Sequence, residues 1–422
     1  MSSDGAFLGA AASIGRRIVA DAVWHDGCCS WMGAVVDREQ PWRVEYRALE
    51  PNVYDGTAGV GLFLAQLAAV TGDPAVRRTA VGALRHAVVR AKALPAGRRD
   101  GFHAGTLGIA WAVARAAVLL DEEELYAGAR TVVVSRPPSG PDRCPDVVLG
   151  SAGSILALLA LAERFDDPAL TEDALTTGAE LIARATMTPY GWSWAIPGRR
   201  YPHHLCGLSH GAAGIGWALL ELFAATGEER FRAAADGAFA YERSWLDGSG
   251  TWPDLRIGGQ RRGEPRAISS STVGTWCHGE GGIALTRLRA LGVLGPDVYR
   301  QDAEVALEAT RRAIAEALPY EIEDVTLCHG AAGGADVLLC GASVLGDRWL
   351  AAAELAAELG RMVLERHGAA GYTRSCGAAG GTTPVLFRGL SGIGWWLLRL
   401  HDGAIPSPLT MPFRLTATLA RA

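Results

Sequence analysis

Seven times along the chain an apolar run opens on a pair of glycines with two residues between them. The runs read YDGTAGVGLFLAQLA, FHAGTLGIAWAVARA, VLGSAGSILALLALA, LSHGAAGIGWALLEL, WCHGEGGIALTRLRA, LCHGAAGGADVLLCG and FRGLSGIGWWLLRLH. Their first glycines are Gly56, Gly105, Gly150, Gly211, Gly279, Gly330 and Gly389, spaced 45 to 68 residues apart. A fixed motif recurring at such intervals is the mark of a repeat architecture. Each run is apolar nearly all round, which predicts a doubly buried helix. Between the runs lie Ala/Arg/Glu-rich segments such as DPAVRRTAVGALRHAVVRAKAL and QDAEVALEATRRAIAEAL, which predict amphipathic helices with one charged face. Strand-like alternation is scarce, and the Ala and Leu content favours helices.

Each unit therefore reads as a helix pair in an all-α chain. Seven pairs either stack as an open solenoid, with glycines used only for packing, or close into a ring. In a ring the glycine-headed helices form the inner layer and all seven glycine loops lie at one mouth. Glycine at an inner N-terminus lets backbones crowd together. It should also leave unpaired N–H groups pointing into the central cavity.

Composition explains little beyond this. Glycine accounts for 53 of 422 residues, against a usual ~7%, and the repeats absorb much of the excess. Net charge is -5 and charged residues make up 20%, so no basic surface marks a nucleic-acid partner. The N-terminus lacks the order of a signal peptide, and the longest uncharged stretches are short for a membrane span. A cytoplasmic protein is expected. Eight cysteines are too few for a disulfide scaffold, and cysteines beside histidines in a reducing compartment suggest metal or catalysis.

Two neighbouring repeats carry Cys-His-Gly: Cys277-His278-Gly279 and Cys328-His329-Gly330. A catalytic zinc commonly has three protein ligands and one open position. Cys277, Cys328 and His329 could supply them, because adjacent repeats put equivalent positions side by side. Two thiolates and an imidazole suit zinc better than magnesium or calcium. His278 as a fourth ligand would close the site and make it structural. Cys144, Cys206 and Cys340 read as core thiols. His203, His204 and Cys206 form a second, local cluster that has no echo elsewhere.

An open thiolate-rich zinc leans toward activating a substrate thiol. A free thiol is about 3% thiolate at pH 7, so coordination gains roughly 30-fold in the reactive form. Addition of that thiol needs a proton handler. His210, just before the repeat-four glycine, faces the same mouth in a ring. Asp146, four residues before the repeat-three glycine, could orient or charge that imidazole, and an N-cap role explains it equally well.

These residues resemble the lanthionine synthetase cyclase family. The similarity runs from about residue 10 to the C-terminus, and YERSWLDGSGTWPDLR looks closest to the cyclase domain of class II synthetases. The resemblance implies an α/α toroid, a double ring of seven helix pairs, as a single domain over 1–422. It implies Zn2+ at the mouth on Cys277, Cys328 and His329, with His210 transferring the proton and Asp146 supporting it. It implies that a precursor-peptide cysteine adds to dehydroalanine or dehydrobutyrine to give a (methyl)lanthionine ring. Class II synthetases carry a large N-terminal dehydratase, and this chain starts at the cyclase. Its substrate would be a dehydrated precursor peptide made by a separate dehydratase or kinase/lyase protein.

Two positions depart from relatives. Val273 stands where freestanding cyclases can carry an arginine, leaving Arg261, Arg262 and Arg266 as candidate cations. Leu327 stands where some synthetases have a third zinc cysteine, which keeps the Cys2His reading. The Pro/Gly/Arg-rich segments 133–145 and 256–270 are candidates for lining the mouth. Two other functions use the same residues: addition of a small thiol such as glutathione to dehydroamino acids in proteins, and a non-catalytic zinc-containing peptide-binding scaffold.

Overall fold

The computed structural model describes residues 3–36, 44–95, 101–136, 143–256, 258–262, 275–295, 297–320, 322, 324–368 and 383–415. Fourteen α-helices lie among them: α1 (Ser3–Ala20), α2 (Thr57–Thr71), α3 (Pro74–Arg90), α4 (Thr106–Leu120), α5 (Glu123–Val134), α6 (Ser151–Phe165), α7 (Pro168–Ala183), α8 (Ala212–Thr226), α9 (Glu229–Arg243), α10 (Glu280–Leu294), α11 (Asp297–Ala317), α12 (Ala331–Leu345), α13 (Leu350–His367) and α14 (Leu390–His401). The even-numbered helices are the seven glycine-headed runs. They pack in sequence order, and α14 returns to α2, so the inner layer closes on itself. The fold is an α/α toroid.

The sequence shows where six of the outer helices come from, and the structure shows the seventh. No α-helix follows α14 among the described residues, only a 3-10 turn at Pro408–Thr410. The outer partner of α14 is α1, from the other end of the chain. Both termini thus join in one pair, and that pair closes the ring. Local chemistry sets the outer helices. Asp73 and Asp167 accept hydrogen bonds from first-turn amides of α3 and α7, and each is followed by proline at the first helical position.

The inner helices start differently. Their N-cap glycines have extended backbones and no side-chain cap. The turn before each helix folds over its end instead. In repeat three, Ser151, Ala152 and Gly153 donate to the carbonyls of Cys144, Pro145 and Asp146 at 2.8, 3.1 and 3.2 Å. Repeat one does the same from Thr57, Ala58 and Gly59 to Glu50, Pro51 and Asn52. These first-turn amides are therefore paired, contrary to the expectation that they point free into the cavity. A buried helix end needs such partners. The fold-over also explains the second glycine of each motif. A Cβ on Gly108 would lie 1.5 Å from the Phe102 carbonyl oxygen, and one on Gly153 would lie 2.0 Å from that of Val147.

The inner helices are buried along almost their whole length. The buried arginines of α10 are paired. Arg287 of α10 is fully buried and donates to Asp302 of α11 and Glu242 of α9, while Arg289 pairs with Glu221 of α8 at 2.6 Å. Losing one partner of such a pair would leave an uncompensated buried charge, at about 3–5 kcal/mol.

Three short hairpins sit outside the helical pattern: β1 (Val23–His25) with β2 (Cys28–Ser30), β3 (Met32–Val36) with β4 (Val44–Ala48), and β5 (Thr186–Thr188) with β6 (Gly191–Ser193). The first turns on Asp26 and Gly27, both at positive φ, the geometry that lets a two-residue turn match strand twist. No helix of the described residues is long and apolar enough to cross a membrane.

Candidate metal centre

The seven loops at the mouth share one register. Two residues before the first glycine stand Tyr54, His103, Val148, Ser209, Cys277, Cys328 and Phe387. One residue before it stand Asp55, Ala104, Leu149, His210, His278, His329 and Arg388. His210 is thus the repeat equivalent of His278 and His329, one position later than the two cysteines.

Backbone hydrogen bonds link neighbouring loops. Tyr54 N–H donates to the His103 carbonyl (2.9 Å), Ala104 to Val148 (3.0 Å), Val147 to Ser209 (3.2 Å), and Ser209 to Cys277 (3.0 Å). From the other side Cys328 donates to Phe387 (2.9 Å), and Phe387 to Tyr54 (3.1 Å). Six of the seven junctions are bridged in this way. Among the described residues no backbone bond crosses the seventh, between repeats five and six. Side chains meet there instead: the ligand atoms of Cys277, Cys328 and His329 all lie within 4.8 Å of one another.

This donor set fits zinc. The Cys328 sulfur is 3.7 Å from His329 Nε2. Tetrahedral coordination with Zn–S near 2.3 Å and Zn–N near 2.05 Å puts those atoms roughly 3.6 Å apart. Both sulfurs are buried. The Cys277 thiol is held well below its ordinary range because Cys328 donates to it, against the effect of burial. Cys328 is pushed well up by burial and by Cys277. A dication bound between two such sulfurs would displace the thiol protons they carry.

His278 stands outside this cluster. Its ring is 5.5 Å from that of His210, and burial pushes it down to about 4. His210 Nδ1 is 2.5 Å from Asp146 Oδ2. The carboxylate is 1% exposed and the imidazole 31%. Burial would lower the His210 pKa, but the hydrogen bond and charge of Asp146 outweigh it, and the net shift is upward. Asp146 also accepts from the Leu149 amide at 2.6 Å and from the Cys144 thiol at 3.1 Å. It therefore braces the turn before α6, without capping the helix, and holds His210 as well. The loop carrying His210 approaches repeat five through Gly207. That residue has φ +95°, and an added Cβ would lie 2.8 Å from the Cys277 carbonyl oxygen.

Other sequence candidates fall elsewhere. Cys144 is not a core thiol, since it is only partly buried and donates to Asp146, whereas Cys206 and Cys340 are buried. His203 packs on Trp245, and His204 pairs with Ser193 at 2.8 Å, so with Cys206 they form no metal group among the described residues. Arg262 lies 4.2 Å over Tyr190 and 4.1 Å over Trp245 and donates to Ser244. Arg266, Val273 and Cys376, with parts of segments 133–145 and 256–270, lie outside the described residues. The cation whose charge is felt at Cys277, His278 and His210 is Arg256, clamped by Asp254 at 2.6 Å. It sits at the end of the YERSWLDGSGTWPDLR segment, which the Trp252 amide ties to Glu280 at the start of α10. Tyr54 was also missed: its hydroxyl donates to the Cys328 sulfur at 2.9 Å. Aligning the repeats on their first glycine would have flagged it at the cysteine position.

Comparison with known proteins concerns the chain as a whole. A family model described as lanthionine synthetase C-like protein matches residues 47–412. The chain is 23% identical over 299 residues to glutathione S-transferase LANCL1 of Danio rerio, covering 67% of each chain. Among solved structures it is similar to nisin cyclase, with a TM-score of 0.58 at 17% identity, over 84% of this chain and 90% of that one. The second likeness concerns the fold alone.

Proposed function

From the premise that the chain belongs to the lanthionine synthetase C-like family, we propose that it is a zinc-dependent cyclase. It joins a cysteine thiol of a dehydrated peptide to dehydroalanine or dehydrobutyrine in the same peptide, forming a (methyl)lanthionine thioether. The observation that carries this reading is the junction of repeats five and six. Two buried sulfurs and an imidazole converge there, beside a carboxylate-held histidine.

Zinc on Cys277, Cys328 and His329 would supply a positive charge that keeps a substrate sulfur as thiolate at neutral pH. Asp146 accepts from His210 Nδ1, which leaves Nε2 as the nitrogen available to the reaction. The hydrogen bond and charge of Asp146 shift His210 toward the imidazolium, the form that can act as a general acid. As the C–S bond forms at the substrate Cβ, the C=C π bond breaks and its electron pair moves toward Cα. His210 gives the Nε2 proton to that carbon and is reprotonated by the proton the thiol released. Atoms and electrons balance without an oxidant. Arg256 adds a positive charge toward the same mouth, where enolate character develops. We read the chain over 1–422 as one domain, because α14 meets α2 in the inner layer and α1, from the other end of the chain, is its outer partner. A separate dehydratase or kinase/lyase protein is the proposed source of the substrate.

A peptide carrying one cysteine and one dehydroalanine tests the activity. Ring closure leaves mass unchanged, so the readout is loss of alkylation by N-ethylmaleimide, with thioether fragmentation confirmed by tandem mass spectrometry. The thiol should vanish with the zinc-loaded protein and persist with Cys277→Ala. Persistence with both would sink the cyclase reading. The name of the Danio rerio relative supports a second reading, in which glutathione supplies the thiol. Including glutathione in the same assay separates the two, because the adduct adds the mass of glutathione.

A further inference from the structure

Tyr54 is the side chain at this junction that no part of the proposed reaction uses. It comes from repeat one, two repeats away from Cys328 around the ring. Its hydroxyl donates to the Cys328 sulfur at 2.9 Å. Its ring stacks on Phe387 with centroids 5.0 Å apart and planes 12° apart. Phe387 accepts the Cys328 amide and donates its own amide to the Tyr54 carbonyl. Backbone and side chain of Cys328 are thus both held from repeats seven and one through a single stacked pair. The stacking fixes the ring plane, and with it the direction of the O–H.

We propose that Tyr54 is a positioning residue of the metal centre, whose phenol orients the Cys328 thiolate and draws off part of its charge. This rests on the reading of Cys277, Cys328 and His329 as metal ligands. Hydrogen bonds to a ligating group set its orientation and basicity, and losing such a partner typically costs 10–100-fold in metal affinity or activity. At Cys328 the donor lowers the energy of the sulfur lone pairs. With two thiolates on one dication, that keeps the centre from becoming so electron-rich that a third, substrate thiolate is excluded.

Cobalt(II) is the probe, because thiolate-to-cobalt charge transfer reports sulfur electron density directly. The full-length protein and Tyr54→Phe would each be loaded with Co2+ and titrated against a chelator. Phenylalanine keeps the stacking on Phe387, and circular dichroism checks that the helices are unchanged. We expect the charge-transfer band of Tyr54→Phe to move to longer wavelength and its metal affinity to change at least tenfold. A wild-type band with wild-type affinity in Tyr54→Phe would overturn the proposal and leave the metal reading intact. A wild-type protein with no thiolate charge-transfer band would overturn both. Neither result depends on finding the peptide substrate, so failure of the cyclisation assay is a separate outcome.

Discussion

Removing the metal should loosen the mouth at one junction out of seven. Six junctions are held by backbone hydrogen bonds, and the seventh carries the Cys277, Cys328 and His329 cluster in their place. Repeat four holds the Cys277 carbonyl twice, through the Ser209 amide and hydroxyl, both at 3.0 Å. Repeats seven and one hold Cys328 through Phe387 and Tyr54. The two arms of the ring therefore meet where the ligands are, and a bound ion would be their link. Each backbone staple contributes about 1 kcal/mol net. A metal kept at 100 times its dissociation constant contributes about 2.7 kcal/mol, more than two such staples. If the chain unfolds as one unit, an entropy of about 2.1 cal/mol/K per residue converts this to a fall of only ~3 °C in Tm.

The local effect is larger and more diagnostic. Amides that exchange through opening of that junction should do so up to about 100-fold faster in metal-free protein, the same factor read as an equilibrium constant. The assay is hydrogen exchange by mass spectrometry on zinc-loaded and chelator-stripped protein, with metal content measured in both. Peptides covering 275–279 and 326–330 should lose protection. Those covering 103–105, 147–150 and 209–211 should hold it. Equal change at every junction, or none at any, would refute the idea that the ion closes the ring.

Three further outcomes follow from the geometry. Asp146→Asn removes the group that raises the His210 pKa and leaves burial, which lowers it. The imidazolium is the proposed acid, so activity falls as pH rises through the His210 pKa, and in Asp146→Asn that alkaline limb should move to lower pH in a rate profile. The stability sign is the same: the His210 contribution is complete below the unfolded histidine pKa and is lost as pH rises through the folded one. His210→Gln should lower the cyclisation rate by about 10²–10⁴-fold while zinc content, measured by elemental analysis, stays at the wild-type level. Gly108→Ala should cost at least ~3 kcal/mol in chemical denaturation, because its Cβ would fall 1.5 Å from a backbone oxygen. Gly334→Ala, whose Cβ would meet side-chain atoms alone, Ile314 at 3.2 Å and Thr310 at 3.5 Å, should be near neutral or gain up to ~1 kcal/mol of helix propensity.

The contrast between those two glycines shows what the sequence could and could not tell. The recurrence of G-x-x-G gives the helices, their number and their layer, because close backbone approach leaves a fixed mark in residue type. It does not say which atoms approach. The first-turn amides look free on a one-dimensional reading, and only the fold-over of the preceding turn pairs them. The joining of α1 to α14 is equally hidden, since both are ordinary amphipathic or apolar runs and nothing local records that they touch. The hairpins went unread: Asp26-Gly27 is a turn dipeptide, but three-residue strands are too brief for alternation to reveal. Arg256 was missed for a different reason: its distance from Cys277 in sequence says nothing of the tether from Trp252 to Glu280 that places it.

A ring of near-identical loops makes chemistry out of small differences at equivalent positions. At the place two before the glycine, Val148 and Phe387 are apolar, Ser209 holds a neighbouring carbonyl, and Cys277 and Cys328 offer sulfur. Because the backbone register is shared, a cysteine written into two neighbouring loops must bring its sulfurs together. A single cysteine, or two in opposite loops, would have remained a buried thiol. The same register places His210 one repeat before the cluster, close enough to His278 for their rings to lie 5.5 Å apart, yet with its carboxylate partner drawn from the preceding loop. Ligands and proton donor thus come from three consecutive repeats; of their supports, Asp146 comes from repeat three, next to that arc, and Tyr54 from repeat one, two repeats beyond its other end. The architecture predicts its own specificity of failure: substitutions at these positions in repeats three to six should affect chemistry. An equivalent change at Ala104, whose loop carries no proposed metal ligand or proton donor, should register in stability alone.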